Sequence, residues 1–152
     1  MASLLEEFTN LIGEFERREI PYAVCGGLAM AIHGAPRATI DIDLMVQSDD
    51  LERAWETAQS LGYNVEGLPL NFHDGAIQIR RISKLEPEHK RLITVDFLLV
   101  TELTRQVWSD RETVTWRNGT ISTVSREGLI KLKELSGRPQ DRVDIERLQN
   151  ES

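Results

Sequence analysis

The sequence is poor in the residues that build disulfides and soft-metal sites. Cys25 is the single cysteine among 152 residues, so an internal disulfide is excluded. The three histidines, His33, His73 and His89, show no metal-ligand spacing among themselves. No apolar run is long enough to cross a bilayer, and the first ten residues lack the basic start and apolar core of a signal peptide. We therefore expect a soluble cytoplasmic protein with no membrane partner.

The sequence also lacks an excess of positive charge. Its 18 Lys and Arg against 25 Asp and Glu give a net charge of −7, which argues against a broad surface for long nucleic acids. It has no internal repeat and no low-complexity tract. At 152 residues it is long enough to bury a core of its own, so we expect residues 1–152 to form one domain.

The apolar pattern alternates between helical and strand periods. It predicts helices over 3–18, 28–33, 49–61, 125–135 and 139–148, and strands over 22–25, 40–46, 76–82 and 92–100. A hairpin is expected where 112–116 and 120–124 flank Asn118-Gly119, and the polar stretch SKLEPEHKR is expected to separate two strands. The alternation indicates an α+β fold, a mixed β-sheet with helices packed on it.

Two aspartates interrupt the apolar strand at 40–46. Asp41 and Asp43 are two residues apart, so they project from one face of a strand, while Ile40, Ile42 and Leu44 face the other way. Two carboxylates side by side repel one another unless a cation lies between them. Hard oxygen ligands of this kind suit Mg²⁺ or Mn²⁺, which use one or two carboxylates together with waters and substrate phosphates.

A third carboxylate interrupts the apolar stretch RLITVDFLLV. Asp96 would join the other two acids if the strand at 92–100 lies beside the strand at 40–46. Gly26-Gly27 lies between the strand at 22–25 and a short helix, where a backbone can approach a phosphate closely. The combination predicts a phosphate-binding turn next to a metal site.

These residues resemble a known family. An apolar residue, Gly-Gly, a short helix and then Asp-x-Asp on a strand is similar to the signature of the nucleotidyltransferase superfamily, which includes DNA polymerase beta and small antibiotic nucleotidyltransferases. The run Arg37-x-Thr39-x-Asp41-x-Asp43 is closer to minimal nucleotidyltransferases related to the AbiEii-type toxins of toxin–antitoxin systems. The C-terminal stretch LIKLKELSGRPQDRVDIERL resembles the closing helices of that family, through Leu132-Lys133, Arg138-Pro139, Asp141 and Asp144. Residues 62–92 match no motif.

The resemblance implies transfer of a nucleoside monophosphate from an NTP to a hydroxyl, with release of pyrophosphate. Asp41 and Asp43 would hold two Mg²⁺ or Mn²⁺ ions, and Asp96 would share one of them and help deprotonate the acceptor. Gly26 and Gly27 would face the triphosphate, with Arg37 and Lys133 as its cations. The acceptor would be an RNA end, a protein or a small molecule, and a cognate antitoxin would be a possible partner.

Each assignment has a structural alternative. Asp41 and Asp43 could be surface acids of an edge strand, and Asp96 could be a buried acid paired with Arg80 or Arg81. Arg37 could cap a loop or pair with Asp41. Exposed charges are the default on helices, so Lys133, Asp141 and Asp144 could be ordinary surface residues. The whole chain could be a catalytically inactive module of the same fold that binds a nucleotide or a partner protein.

Overall fold

A computed structural model describes residues 3–88, 90–117 and 119–150. Its helices are α1 (Leu4–Arg17), α2 (Gly26–Ile32), α3 (Leu51–Ser60), α4 (Arg105–Ser109), α5 (Arg126–Ser136) and α6 (Pro139–Asn150). Its strands are β1 (Ala23–Cys25), β2 (Asp41–Val46), β3 (Val65–Glu66), β4 (Leu70–Phe72), β5 (Ile77–Glu86), β6 (Arg91–Leu99), β7 (Glu112–Trp116) and β8 (Gly119–Thr123). The α+β class expected from the sequence is confirmed.

All eight strands belong to one mixed sheet. Its order is β3-β5-β6-β2-β1-β8-β7, and β4 pairs with β5 beside this path. β2 runs parallel to β6 and β1 runs parallel to β8, whereas the remaining pairs are antiparallel. The predicted adjacency of the strands at 40–46 and 92–100 is therefore confirmed. The predicted hairpin corresponds to β7 and β8; its turn residue Asn118, like His89, lies outside the described residues.

The main core lies between the sheet and the helices α1 and α3. The Phe15 ring stacks on Phe97 at a centroid distance of 6.1 Å, and the Trp55 ring lies 6.4 Å from the same ring. Ile42 and Leu44 of β2 are fully buried, and they alternate with the two aspartates of that strand. Ile40, which we expected on this apolar face, lies outside β2 and is 79% exposed.

Two predictions for local structure were wrong, and three short elements were missed. Gly26 and Gly27 begin helix α2 itself and do not form a separate turn before it. β5 continues to Glu86 through residues expected in a polar loop, because the Lys84 ammonium group pairs with Glu7 at 2.7 Å and lies over the Tyr63 ring. The short elements β3, β4 and α4 carry no clear periodicity in the sequence, and none of them was predicted.

The two C-terminal helices form an antiparallel pair around a left-handed glycine. The Ser125 hydroxyl accepts a hydrogen bond from the Gly128 backbone N–H and so caps α5. Gly137 has φ of 68°, a conformation that glycine adopts without strain, and it ends α5 immediately before α6. Within the described ranges, no helix is both long enough and apolar enough to cross a membrane.

Candidate active site

The register of β2 and β6 brings the three aspartates to one face of the sheet. Asp43 lies directly opposite Asp96, and Asp41 lies opposite Thr94. Direct neighbours on adjacent strands point to the same face, as do residues two apart on one strand. Asp41, Asp43 and Asp96 therefore share the face opposite the main core, which we call the acid face. One end of the acid face is formed by Asp41, the first residue of β2.

The acid face contains a row of directly paired residues across four neighbouring strands. The row consists of Arg81 on β5, Asp96 on β6, Asp43 on β2 and Cys25 on β1. Cys25 is 4% exposed, and its burial raises the pKa of the thiol well above the ordinary value. Cys25 is thus a core residue, as expected, and is poorly suited to act as a nucleophile.

Asp96 is paired with an arginine in this conformation. The Arg81 guanidinium donates two hydrogen bonds to Asp96, from Nε to Oδ1 at 2.8 Å and from Nη2 to Oδ2 at 2.9 Å. Arg80, the other arginine considered from the sequence, bonds to Asn71 Oδ1 at 3.1 Å instead. The structural alternative in which Asp96 pairs with Arg81 is therefore confirmed.

Asp41 and Asp43 are in the opposite situation. The described part of the chain provides no hydrogen bond or ion pair to either carboxylate, and both side chains are half-buried. Burial, reinforced by the negative charges of Asp96 and Asp41, raises the pKa of Asp43 to about 7. Burial and the charge of Asp96 also raise the pKa of Asp41. Both carboxylates are thus held where their negative charge is poorly compensated by the protein.

These two carboxylates are a suitable donor set for a hard divalent cation. A partly buried pair of oxygen ligands without protein partners is what Mg²⁺ requires when waters and phosphate oxygens complete its coordination. Among the residues that the structure describes, no group of three His, Cys, Asp or Glu side chains is placed to hold a metal ion. The metal site of three carboxylates expected from the sequence therefore stays a prediction, and Arg81 binds the carboxylate of Asp96 in this conformation.

The two glycines of the motif are packed against the same region. A Cβ atom on Gly26 would overlap the Asp43 carboxylate, and Gly26 has φ of 62°. A Cβ atom on Gly27 would lie 2.6 Å from Thr39 Oγ1. Both positions therefore require glycine for the close approach of neighbouring side chains, whatever contact they make with a phosphate. The sequence suggested only the phosphate contact.

Arg37 and Lys133 converge on one buried acid. Asp144 is fully buried and accepts hydrogen bonds from Arg37 Nε at 3.0 Å and 3.1 Å, and its Oδ2 lies 2.9 Å from Lys133 Nζ. Lys133 is 5% exposed and also lies 3.6 Å from Asp141, which is 1% exposed. The alternative that Lys133, Asp141 and Asp144 are exposed surface residues is therefore wrong. The alternative that Arg37 pairs with Asp41 is also wrong.

This ion network extends to the acid face. Arg138 pairs with Asp141 at 3.0 Å, and its side chain is 69% exposed. The positive charges of Lys133 and Arg138 both act on Asp43 in the direction that lowers its pKa, although burial outweighs them. Arg138 is thus a further candidate for contact with a phosphate. Its Arg-Pro motif was noted in the sequence, but nothing there indicated that the side chain would lie near Asp43.

A separate cleft lies away from the three aspartates. It has a volume of about 620 Å³ and lies where β2 and β6 end, lined by residues that include Gln47, Asp49, Val100 and Thr101. Asp41 and Asp43 lie at the other end of β2, and none of the three aspartates contributes to the wall of this cleft. The candidate active site is therefore the acid face.

The chain is similar in structure to solved proteins that include an adenylyltransferase and a nucleotidyltransferase-like protein. The lincosamide antibiotic adenylyltransferase LnuA with lincomycin bound aligns with a TM-score of 0.62 and 13% identity over 97% of both chains. ANT(2'')-Ia in complex with adenylyl-2''-tobramycin aligns with a TM-score of 0.67 and 14% identity, over 97% of this chain and 87% of that chain. An antigenic nucleotidyltransferase-like protein from Paracoccidioides brasiliensis gives a TM-score of 0.57 and 19% identity, over 95% and 74% of the two chains.

No protein-family model matches the sequence, and no curated protein matches it significantly. The structural alignments nevertheless extend over nearly the whole chain. The protein therefore has a nucleotidyltransferase-like fold, as the resemblance in the sequence implied.

Proposed function

We propose that the protein is a nucleotidyltransferase that moves a nucleoside monophosphate from an NTP to a hydroxyl group of a small molecule. The observation that carries this proposal is the pairing of Asp43 with Asp96 in the parallel register of β2 and β6, next to Gly26. The fold supports the same class of reaction. Two of the aligned structures are named as an antibiotic adenylyltransferase bound to lincomycin and as a protein in complex with an adenylylated tobramycin. These names favour a small-molecule acceptor over an RNA end or a protein.

The assigned roles follow from the chemistry of the side chains. Asp41 and Asp43 would hold the divalent cation, and Asp96 would share it once Arg81 is displaced. Such an ion supplies neutralisation of the triphosphate and of the charge that develops during transfer. Arg37, Lys133 and Arg138 would orient the triphosphate. Arg37 and Lys133 share Asp144 as a partner, and Arg138 pairs with Asp141. Gly26 and Gly27 would allow a phosphate of the NTP to approach the backbone closely at the start of α2.

The reaction balances without another reactant. An oxygen of the acceptor hydroxyl forms a bond to the α-phosphorus of the NTP, and the bond between that phosphorus and the bridging oxygen of the β-phosphate breaks. Pyrophosphate leaves with the electron pair. The hydroxyl proton passes to Asp96, the carboxylate beside Asp43 on the acid face, and then to water.

Transfer to a labelled acceptor tests this function directly. The protein is incubated with α-labelled NTPs, Mg²⁺ and fractions of a cell extract that contain only small molecules, only RNA or only protein. We expect the small-molecule fraction to gain label, and we expect Asp43→Asn to lower the rate at least about 100-fold, since removing a partner even one shell away from a metal costs 10–100-fold. Label in RNA or protein would overturn the small-molecule acceptor and would favour a role similar to that of the toxins named above.

A catalytically inactive module is the second candidate, and the ion pair between Arg81 and Asp96 favours it. This pair compensates one carboxylate of the site without any metal. The two candidates differ in their thermal response to ligand, because binding to the folded state raises the melting temperature. An active enzyme should be stabilised by ATP only when Mg²⁺ is present. No shift with Mg²⁺ and any of the four NTPs, together with no label transfer, would favour the inactive module.

A further inference from the structure

Arg81 reaches the acid face because of the register between β5 and β6. Arg81 lies directly opposite Asp96, whereas Arg80 lies opposite Phe97, a residue of the main core. Adjacent residues on a strand point to opposite faces, so only one of the two neighbouring arginines can contact the three aspartates. The chain thus places a single guanidinium at the end of the row formed with Asp96 and Asp43.

The contact is made by a buried acid and a more exposed base. The Asp96 side chain is 10% exposed and the Arg81 side chain is 44% exposed. Breaking the pair would therefore return the guanidinium to water at low cost, while Asp96 would be left buried beside Asp43 without a cation. The pair is replaceable only if another cation takes the place of Arg81.

The aliphatic part of the Arg81 side chain is held in place by packing, whereas its guanidinium group is not. A Cβ atom on Gly67 would lie 3.1 Å from Arg81 Cβ and 3.3 Å from Arg81 Cγ, so the chain that follows β3 covers the aliphatic stem. The Gly67 backbone N–H also donates to the Arg81 carbonyl oxygen at 2.9 Å. Rotation about the outer bonds of the side chain can move the guanidinium without any change in the sheet.

We propose that Arg81 is a positioning residue that occupies Asp96 in the metal-free protein and competes with the divalent cation for this carboxylate. This proposal rests on the metal-dependent function proposed above. When the cation binds Asp41 and Asp43, it also attracts Asp96, and Arg81 moves away toward solvent and the negatively charged phosphates of the NTP. Arg81 thereby keeps three neighbouring carboxylates compatible with a folded protein before the metal arrives, at the expense of metal affinity.

The competition predicts an effect that a purely structural ion pair would not produce. Replacing Arg81 by glutamine should tighten the binding of Mn²⁺, because the metal no longer displaces a bidentate partner. A structural role predicts weaker or unchanged binding, since the loss of a supporting contact cannot improve the site. The direction of the change therefore separates the two roles.

The test is a titration of Mn²⁺ without nucleotide, followed by electron paramagnetic resonance of the free ion. We expect Arg81→Gln to lower the Kd about tenfold, which corresponds to about 1.4 kcal/mol. We expect a smaller decrease, about threefold, for Arg81→Lys, which keeps the charge and loses the planar fork. Arg80→Gln is the matched control. It removes the same charge one residue away on the other face, where the side chain bonds to Asn71, and it should stay within about twofold of wild type.

The outcomes separate the inference from the proposed function. In one outcome the wild type binds Mn²⁺, Asp43→Asn does not, and both Arg81 variants bind it as strongly as the wild type or more weakly. This result would overturn the competition and leave the proposed function intact. An equal gain in Arg80→Gln would mean that net charge alone sets the affinity, which would also overturn it. Binding by neither wild type nor Arg81→Gln would overturn the competition, whereas the proposed function is decided separately by the transfer assay. Circular dichroism of each variant verifies that the protein remains folded.

Discussion

Asp43 has the least favourable surroundings among the three aspartates. It is half-buried beside two other carboxylates. Burial is the main cause that raises its pKa to about 7, and the negative charges of Asp96 and Asp41 add to it. An acid whose pKa is higher in the folded state than in the unfolded state destabilises the fold as it ionises. Stability therefore decreases as the pH rises from about 4, the ordinary pKa of aspartate, toward 7.

Asp43→Asn should consequently stabilise the metal-free protein while abolishing metal-dependent transfer. At pH 8 in chelator we expect a gain on the order of 2 kcal/mol. A pKa rise from about 4 to about 7 would give roughly 4 kcal/mol at about 1.4 kcal/mol per tenfold change in the ionisation constant, and solvent around the half-buried carboxylate reduces it. The gain should vanish at pH 4, where Asp43 is protonated in the folded wild type. Urea unfolding of both proteins at the two pH values measures it. A variant less stable than wild type at pH 8 would mean that Asp43 has a stabilising partner.

Gly26 limits what can surround Asp43. Alanine at this position would face two costs, a left-handed backbone and overlap with the Asp43 carboxylate. We expect Gly26→Ala to lower the free energy of unfolding by about 3–4 kcal/mol, combining roughly 1–2 kcal/mol for the backbone with the cost of overpacking.

Gly34→Ala is the control for the backbone term. Gly34 has φ of 85°, and an added Cβ would meet nothing within 4 Å. This variant should lose only about 1–2 kcal/mol. Equal losses in the two variants, measured by urea unfolding, would show that the contact with Asp43 does not restrict position 26.

The sequence was informative about the acids of the site and uninformative about their partners. Asp41, Asp43 and Asp96 could be predicted because charged residues inside apolar strands are rare enough to be noticed one by one. The choice of Arg81 over Arg80 could not be predicted, because it depends on the register between β5 and β6. No local feature of either strand determines that register.

At the scale of elements, α5 and α6 are joined by buried charges. Asp144 on α6 contacts Lys133 on α5 and Arg37 in the segment before β2, so three parts of the chain depend on one carboxylate. Burial alone would raise the pKa of Asp144, but hydrogen bonds from Lys133 and Gln140 and the charges of Lys133 and Arg37 outweigh it and lower the pKa. Its contribution to stability is therefore present above the unfolded pKa and is lost as the pH falls through the folded value.

Asp144→Asn should destabilise the protein by about 3–5 kcal/mol at pH 7, because Lys133 would remain buried with its nearer partner removed. The difference from wild type should shrink below a pH of about 4, where the unfolded and then the folded carboxyl group become protonated. The control is Asp50→Asn, which removes a surface pair with Arg53 and should cost less than about 1 kcal/mol. Equal losses in urea unfolding would contradict a structural role for the buried network.

The length of β5 shows why polar segments are difficult to assign from sequence. Lys84 lies in a stretch that has the composition of a loop, yet its ammonium group pairs with Glu7 of α1 and its position covers the Tyr63 ring. Tyr63 Oη also donates to Glu7 Oε1 at 2.9 Å. These partners are distant in sequence, so the strand is stabilised by tertiary contacts that no local pattern contains.

At the scale of the whole molecule, α6 completes both the core and the site. Leu148 is fully buried, and its carbonyl oxygen accepts a hydrogen bond from Arg126 at 2.7 Å. α6 also contributes both acids that contact Lys133. The closing helices predicted from the sequence are therefore part of the structure that positions the charges, and not an appendage.

A chain that ends at Gly137 should therefore fail to fold stably. It loses Leu148 from the core and leaves Lys133 without Asp141 and Asp144. The combined loss in the free energy of unfolding should exceed the loss caused by Asp144→Asn. We expect loss of a cooperative urea transition and poor dispersion of amide signals in a nitrogen–proton correlation spectrum. A cooperative transition at the wild-type midpoint would show that α6 is not required for the fold.

The parallel pairing of β1 with β8 has a consequence for biosynthesis. The Thr123 hydroxyl donates to the Val24 carbonyl oxygen across 99 residues of sequence, and β1 lies between β2 and β8 in the sheet. A ribosome adds about 5–20 residues per second from the N-terminus, so Asp41, Asp43 and Asp96 emerge several seconds before Lys133. A nascent chain therefore presents its three carboxylates before the cations of α5 and α6 exist, and the site becomes complete only after α6 has been synthesised.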